Sequence, residues 1–342
     1  MYQSIPDIIF VSAYYGKKYH NNFINKTVTR QQPVIGVSLP DVTIPRWAED
    51  KKIMEEYAQS KGIALKTENA EYDAAKQAEQ VDNLIAQGIN VLILVPVDLS
   101  AAPALVEKAH KAGIKVVNYD RLIPNSDVDI FISFNARRIG ELQGMYLIRA
   151  VPKGNYIILS GDPGNFNSKL YRDGAMDYIQ PLVSMRDIKI VADKPVEKFD
   201  PKIAYEIVED ALIANKNKID AILAPIDIIA GASIEALKIQ GLAGKVAVTG
   251  QSSDLDAVRR IVEGTQLMTV FKDFRQEART AVDTAIKLVT GEPIDLTGYV
   301  NNDKIDVPSI LLIPTAVDKN NIKQVLIDSG FYSEKEVYGR KK

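Results

Sequence analysis

The sequence predicts an α/β fold of two lobes, each built on a doubly wound parallel sheet. Short β-branched runs alternate with longer segments of helical period from Pro33 onward. Runs such as VLILV (91–95) are apolar throughout, which is typical of strands covered by helices on both faces of a parallel sheet. The pattern then starts again at NYIILSG (155–161), which indicates a second sheet of similar size.

The first lobe is predicted from five strands with helices between them. The strands are VIGVSL (34–39), IALKT (63–67), VLILVP (91–96), KVVNYD (115–120) and IFISF (130–134). Two amphipathic segments, RWAEDKKIMEEYAQSKG (46–62) and YDAAKQAEQVDNLIAQG (72–88), end on glycine, which adopts the left-handed conformation of a helix C-cap at little cost. We therefore expect these segments to be helices.

The second lobe is predicted from a further series of strands. They are NYIILSG, IKIVAD (188–193), DAILAP (220–225), KVAVTG (245–250) and LMTVF (267–271). The first 32 residues stand apart, because their apolar run is too short to span a bilayer and its lysines follow it. We expect an extension with a polar linker, which is the remnant of a membrane anchor, an expression artefact or a docking segment, with the anchor remnant favoured.

Composition excludes several classes of function. The chain of 342 residues has a formal charge of -2, so a nucleic-acid partner is not expected. It has no cysteine and two histidines, so neither disulfides nor a metal site are expected. The sequence lacks GxGxxG, GxxxxGK[ST] and GxSxG, and we expect neither a cofactor nor an enzymatic activity.

Polar residues at the carboxyl ends of the predicted strands are the candidates for a binding site. In doubly wound sheets, ligands bind beyond these ends. Asp120 and Arg121 follow a predicted buried strand directly. A carboxylate offers acceptors and a guanidinium offers donors, so the pair can grip hydroxyl groups, although such a pair can equally be a turn cap or an internal ion pair. The sequence favours a neutral, polyhydroxylated ligand.

The ordered set of motifs resembles the type I periplasmic-binding-protein superfamily, and within it the D-xylose-binding proteins. The motifs include PRWAEDKKI, GINVLILVPVD, KVVNYDRLI, NSKLYRDG, QGLAGKVAVTGQ and GTQLMTVFK, and the resemblance runs from about Val34 to about Phe331. It implies polar contacts to sugar hydroxyls from Arg46, Asp120, Arg121, Asn167 and Lys272. It also implies aromatic rings that flank the sugar, from Trp47 and Phe199.

Three positions depart from the pattern of the resembling family. Pro225-Ile226-Asp227 stands in place of Ser-Asn-Asp, Gly250-Gln251-Ser252 in place of Gly-Gln-Asp, and Phe199 in place of a tryptophan. Ser252 can recover part of a lost contact through its hydroxyl or a bridging water. Asp227 can replace a lost acceptor if it turns inward, or it can cap the following helix. We expect a pentose site that is weakened or retuned.

The resemblance also implies a three-segment hinge, with crossings near Asn135, near Asp273 and within residues 301–306. The predicted lobes are residues 33–134 plus 274–303 and residues 135–273 plus 304–342. A membrane protein would then recognise, on the extracytoplasmic side, the conformation in which the lobes are closed on a pentose. That protein is either a sensor of the histidine-kinase type, which the drifted contact positions favour slightly, or an ABC permease that receives the sugar.

Overall fold

The computed structural model describes residues 33–339. The predicted extension and anchor remnant, residues 1–32, lies outside the described residues. In the described part of the chain, no helix has both the length and the apolar character that a membrane span requires.

The chain begins with the predicted alternation of strands and helices. The elements are β1 (Val34–Leu39), α1 (Pro45–Ser60), β2 (Ala64–Asn69), α2 (Ala74–Ala86), β3 (Val91–Leu94), α3 (Ala102–Lys111), β4 (Lys115–Tyr119) and β5 (Ile130–Phe134). The five strands and two helices named from the sequence are confirmed, and their ends differ from the prediction by two residues or fewer. Gly62 and Gly88 follow the two helices with φ of 68° and 75°, as their left-handed role requires.

The alternation continues through the second lobe. The elements are α4 (Ala136–Ala150), β6 (Gly154–Leu159), α5 (Phe166–Ser184), β7 (Ile188–Lys194), α6 (Pro201–Ala214), β8 (Ala221–Leu223), α7 (Asp227–Ile239), β9 (Ala247–Val248), α8 (Leu255–Glu263) and β10 (Thr269–Phe271). They are followed by α9 (Phe274–Thr290), β11 (Gly298–Asn301), β12 (Asp306–Leu312), β13 (Thr315–Val317) and α10 (Glu334–Tyr338).

The two sheets differ in size, which corrects the expectation that they are similar. The first has seven strands in the order β11-β12-β5-β4-β3-β1-β2, all parallel except β11. The second has four parallel strands in the order β7-β6-β8-β9. The predicted strand LMTVF lies outside it, because β10 pairs antiparallel with β13.

The boundary predicted at residue 303 falls inside the first sheet. β12 pairs in parallel with β5, so residues 306–312 lie with the first lobe and the third crossing comes after Leu312. The polar stretch NNDKID is a hairpin turn between β11 and β12 rather than a crossing. Asn302 anchors this turn, because its side-chain amide donates to the carbonyls of Ile123 and Ser126 at 2.9 and 2.7 Å.

Helices α4 and α5 pack against each other without room for side chains at their contact. A Cβ on Gly140 would overlap the carbonyl oxygen of Tyr171, and a Cβ on Gly174 would overlap that of Arg137. The helices run side by side in the same direction, since Gly144 likewise faces Ala175. Glycine at these positions therefore allows the close approach.

Candidate functional site

Two cavities lie between the lobes, at the carboxyl ends of the strands. The first, which we name the Arg46 cavity, has a volume of about 380 Å³. It is lined by Pro45, Arg46 and Glu49 from the first lobe and by Ser252, Asp254, Lys272, Phe274, Phe331 and Tyr332. The second, the Arg121 cavity, has a volume of about 240 Å³ and is lined by Pro96, Val97, Leu99, Arg121 and Leu122 from the first lobe and by Asp162, Gly164, Asn165, Phe166 and Asn167. Five of the nine predicted site residues line these two cavities.

Arg46 is fixed from below by two buried carboxylates. Its Nε donates to Asp50 at 2.7 Å and its Nη2 donates to Glu277 at 2.8 Å. Both carboxylates are fully buried, whereas 23% of the Arg46 side chain is exposed. The rings of Trp47 and Phe274 lie 5.2 and 4.9 Å from the guanidinium carbon, within the range of cation–π attraction. The guanidinium is therefore held rigidly at the base of the Arg46 cavity.

Burial changes the protonation of the two carboxyl groups beneath Arg46. Burial, together with the nearby Asp120, raises the pKa of Glu277 to about 8 against the opposing effect of Arg46. Burial also raises the pKa of Asp50 to about 6, again against the opposing effect of Arg46. Near neutral pH, Glu277 is therefore mainly neutral and Asp50 is mainly ionised.

Asp120 is an acceptor with its carboxylate uncommitted. Its φ of 61° turns the chain after β4, and its backbone N–H donates to the carbonyl of Ile132 at 2.8 Å. Within residues 33–339, its carboxylate oxygens receive no hydrogen bond from the protein. Burial raises the pKa of Asp120, but nearby cations outweigh burial and hold the pKa below its ordinary value. These cations are Arg46, Lys272 and Arg121.

Arg121 reaches across the first lobe instead of pairing with its neighbour Asp120. Its Nη1 donates to the carbonyl of Pro96 at 3.4 Å, and its Nη2 donates to the hydroxyl of Tyr72 at 3.3 Å. The rings of Trp47 and Tyr72 lie 5.5 and 5.8 Å from its guanidinium carbon. The guanidinium thus lines the Arg121 cavity with aromatic support.

The two predicted aromatic residues occupy different settings. Trp47 is 5% exposed and packs in the core of the first lobe, where its ring supports both Arg46 and Arg121. Phe199 is half-buried against the core of the second lobe and has a φ of 51°. Its ring lies against Gly161, at which a Cβ would lie 2.9 Å from the Phe199 Cε1. Neither ring lines the two cavities.

Asp227 lies inside the second lobe and follows neither of the two expectations. Its Oδ1 accepts from Gln266 at 2.9 Å, and its Oδ2 accepts from Thr269 at 2.9 Å and from the backbone N–H of Asp254 at 3.0 Å. The residue is 1% exposed, and its side chain does not cap α7. Burial raises its pKa to about 6, with Asp254 adding to the rise. The structure therefore turns Asp227 away from the cleft.

The remaining predicted residues come from the second lobe. Ser252 is exposed in the Arg46 cavity at a φ of 117°, and its hydroxyl accepts from the side-chain amide of Gln251 at 3.1 Å. Lys272 follows β10 and lines the same cavity. Asn167 lies in the first turn of α5 and lines the Arg121 cavity.

Sequence reasoning missed Asp50, Glu277 and Tyr72. Asp50 stands four residues after Arg46, at the spacing of a helical ion pair, so this signal was available in RWAED. Glu277 lies 231 residues from Arg46, and no local pattern connects them. In the described residues, no group of three or more His, Cys, Asp or Glu side chains could hold a metal ion.

The comparisons with known proteins assign the family. The family model described as "Periplasmic binding protein domain" matches residues 35–293. The chain belongs to this family. Membership in the periplasmic binding protein family confirms the predicted type I fold, and it makes the chain a binding protein rather than an enzyme.

Relatives of this periplasmic binding protein cover almost the whole chain. It is 40% identical over 304 residues to the D-xylose-binding periplasmic protein of Haemophilus influenzae, covering 89% of this chain and 92% of that protein. It is 41% identical over 303 residues to the D-xylose-binding periplasmic protein of Escherichia coli, with coverage of 89% and 92%. A solved structure of a carbohydrate transporter solute binding protein from Chloroflexus aurantiacus, in complex with D-glucose, is 32% identical with a TM-score of 0.79, covering 90% of this chain and 98% of that chain.

Proposed function

We propose that this periplasmic binding protein takes up D-xylose between its lobes, on the extracytoplasmic side of the cell membrane. The observation that carries the proposal is the uncommitted carboxylate of Asp120 among cations from both lobes. Sugar hydroxyls both donate and accept, so an acceptor flanked by guanidinium and ammonium donors suits a neutral sugar. The names of the two D-xylose-binding relatives support the choice of sugar.

Each lobe contributes donors to the proposed site. Arg46 and Arg121 come from the first lobe, and Lys272 and Asn167 come from the second. Ser252 is placed to add a weaker hydroxyl contact. We assign Trp47 a supporting role beneath the two guanidinium groups. Phe199 stays a candidate for stacking on the sugar, and Asp227 is left out because its oxygens are occupied within the second lobe.

Closure follows from the division of these contacts. A sugar that touches both lobes stabilises the closed arrangement through contacts that the open arrangement cannot make. We propose that the motion takes place at the three crossings, near Asn135, near Asp273 and after Leu312.

We propose two candidate membrane partners that recognise the closed, sugar-bound conformation. Delivery to an ABC permease is weakly supported by likeness to a carbohydrate transporter solute binding protein. The membrane sensor of the histidine-kinase type, which the sequence slightly favours, rests on the departures from the family pattern at Phe199, Ile226 and Ser252. Deleting the gene and measuring both uptake of labelled xylose and xylose-dependent transcription separates the two. Lost uptake supports the permease, and lost transcription with normal uptake supports the sensor.

Calorimetric titration with D-xylose tests the binding itself, with L-arabinose, D-ribose and D-glucose as competitors. We expect saturable binding of xylose at one site, with weaker competition by the other sugars. D-Glucose is the most informative competitor, because the Chloroflexus aurantiacus protein holds it. Tighter binding of D-glucose than of D-xylose would reassign the sugar. The absence of a binding signal for all four sugars would contradict the pentose proposal.

A further inference from the structure

Glu277 is a fully buried carboxyl group within a cluster of charged residues beneath the proposed sugar site. It lies in the first turn of α9, and its Oε2 accepts from Arg46 on α1 at 2.8 Å. The second carboxylate on Arg46, Asp50, also comes from α1. Both carboxylates are fully buried, so neither can be solvated in place of its contact with Arg46.

The carboxyl groups at Glu277 outnumber the cations that face it, since the third nearby cation, Arg121, faces Asp120. The titratable and charged groups that face it are Arg46 and Asp50 from α1, Asp120 and Tyr119 from the end of β4, Tyr171 from α5 and Lys272 from the segment before α9. Together with Glu277, these groups comprise three carboxylates and two cations. A buried carboxyl group next to two others favours its neutral form.

Unpartnered atoms in the same place agree with a protonated Glu277. In the described part of the chain, Glu277 Oε1, Asp50 Oδ1 and the Tyr119 hydroxyl are buried without a hydrogen-bond partner. A proton on Oε1 makes this oxygen a donor while Oε2 continues to accept from Arg46. The neutral acid can therefore hold Arg46 in place without neutralising the positive charge that the Arg46 guanidinium presents to the cleft.

We propose that Glu277, in its protonated form, is a positioning residue that holds Arg46 in place for the sugar. Closure of the lobes on the sugar is then coupled to uptake of a proton by Glu277. This inference rests on the proposed function. Closure over Arg46 removes further water from the group, which favours the neutral acid more strongly in the closed state. The raised pKa of Glu277, about 8 through burial, places the effect in an accessible range.

The sign of the pH dependence follows from linkage. When the pKa of a carboxyl group is higher in the bound state than in the free state, affinity is greatest below the free pKa. Affinity then falls as the pH rises through the window between the two values. The dissociation constant of the wild type should be constant near pH 6.5 and should rise by up to about tenfold per pH unit above about pH 8.

The decisive experiment is calorimetric titration of the full chain with D-xylose over this pH range, using the wild type and Glu277→Gln. Glutamine copies the protonated acid but cannot ionise. We expect Glu277→Gln to match the wild-type affinity near pH 6.5 within about twofold and to show no fall at high pH. Asp295→Asn, which removes an exposed carboxylate outside both cavities, should keep the wild-type slope.

A second readout counts protons directly. At about pH 8, titration of the wild type in two buffers of different ionisation enthalpy should show uptake of a fraction of a proton, up to about one, per sugar bound. A pH-independent affinity, zero proton uptake, the same slope in Glu277→Gln, or loss of binding in a folded Glu277→Gln would each overturn the inference. The proton count on the wild type decides if that variant does not fold. A wild type that binds no sugar at any pH overturns the proposed function as well.

Discussion

Asp120 and Asp227 both follow a parallel strand at the edge of the cleft, yet they have opposite environments. Asp120 keeps its carboxylate uncommitted, and nearby cations hold its pKa below the ordinary value. Asp227 gives its two oxygens to three donors of its own lobe, and burial raises its pKa to about 6. The comparison teaches that position at a strand end makes an aspartate a candidate, whereas the donors around it decide between ligand binding and support of the fold.

Replacing Asp227 with alanine should produce the largest effect, and it should be an effect on stability. Three donors, two of them buried, would lose their acceptor, so we expect the free energy of unfolding to fall by about 3 kcal/mol. Urea unfolding measures the loss. Xylose affinity of the folded variant should be nearly unchanged. A stable Asp227→Ala variant that no longer binds sugar would show that Asp227 contacts the ligand, and the contrast with Asp120 would then be wrong.

The free energy of unfolding should depend on pH through the titration of Asp227. Its folded pKa of about 6 lies above the ordinary 3.8, so the stability that its protonation adds is complete below pH 3.8 and is lost as the pH rises through 6. At 1.36 kcal/mol per pKa unit, the loss relative to Asp227→Asn is about 3 kcal/mol. Unfolding of both proteins across this window provides the measurement. Parallel curves would mean that Asp227 titrates normally in the fold.

Replacing Asp120 with asparagine should affect binding rather than stability. A charge-assisted hydrogen bond contributes about 1.5 to 3 kcal/mol, so we expect xylose affinity to fall about 10- to 100-fold. Asp295→Asn is a matched control, because the Asp295 side chain is 99% exposed and lies outside both cavities. Equal affinity of Asp120→Asn and wild type would remove Asp120 from the site.

Replacing Ser252 with aspartate should produce the smallest effect and would restore the carboxylate expected from the resembling family. Ser252 is exposed in the Arg46 cavity, where Lys272 can neutralise an added charge. We expect pentose binding to tighten by up to about tenfold, as a titration would show. An unchanged affinity would mean that the site already compensates for the missing carboxylate.

Much of the fold could be predicted because local pattern determines it. The alternation of apolar strands and amphipathic helices identified β1 to β5 with only small errors at their ends. Strand partners are set by tertiary packing, so the pairing of β10 with β13 could not be predicted. The hairpin at Asn302 was mistaken for a crossing because a polar turn and a polar linker have the same composition.

From the residues alone, the candidate site was predictable only where its residues stand at strand ends, whereas the family resemblance added Arg46 in α1 and Asn167 in α5. Asp120 and Arg121 directly follow β4, and the sequence drew attention to both. The pairing of Glu277 with Arg46 depends on how α9 packs against α1, which no spacing along the chain reveals. The destination of the Asp227 carboxylate likewise depends on Gln266 and Thr269, about forty residues away along the chain.

The close glycine contact between α4 and α5 has a mechanical consequence. Because no side chain separates the two helices at this contact, we expect them to move together as a single lever. Asn135 caps the start of α4, and Asn167 lies in the first turn of α5, at the same end of this lever. For a pivot at Asn135, the side-chain amide of Asn167, which we propose contacts the sugar, would lie close to the pivot and move a short distance. The opposite end of the two helices, near Ala150 and Ser184, would move much farther, so a small adjustment at the sugar would become a large displacement of the outer surface.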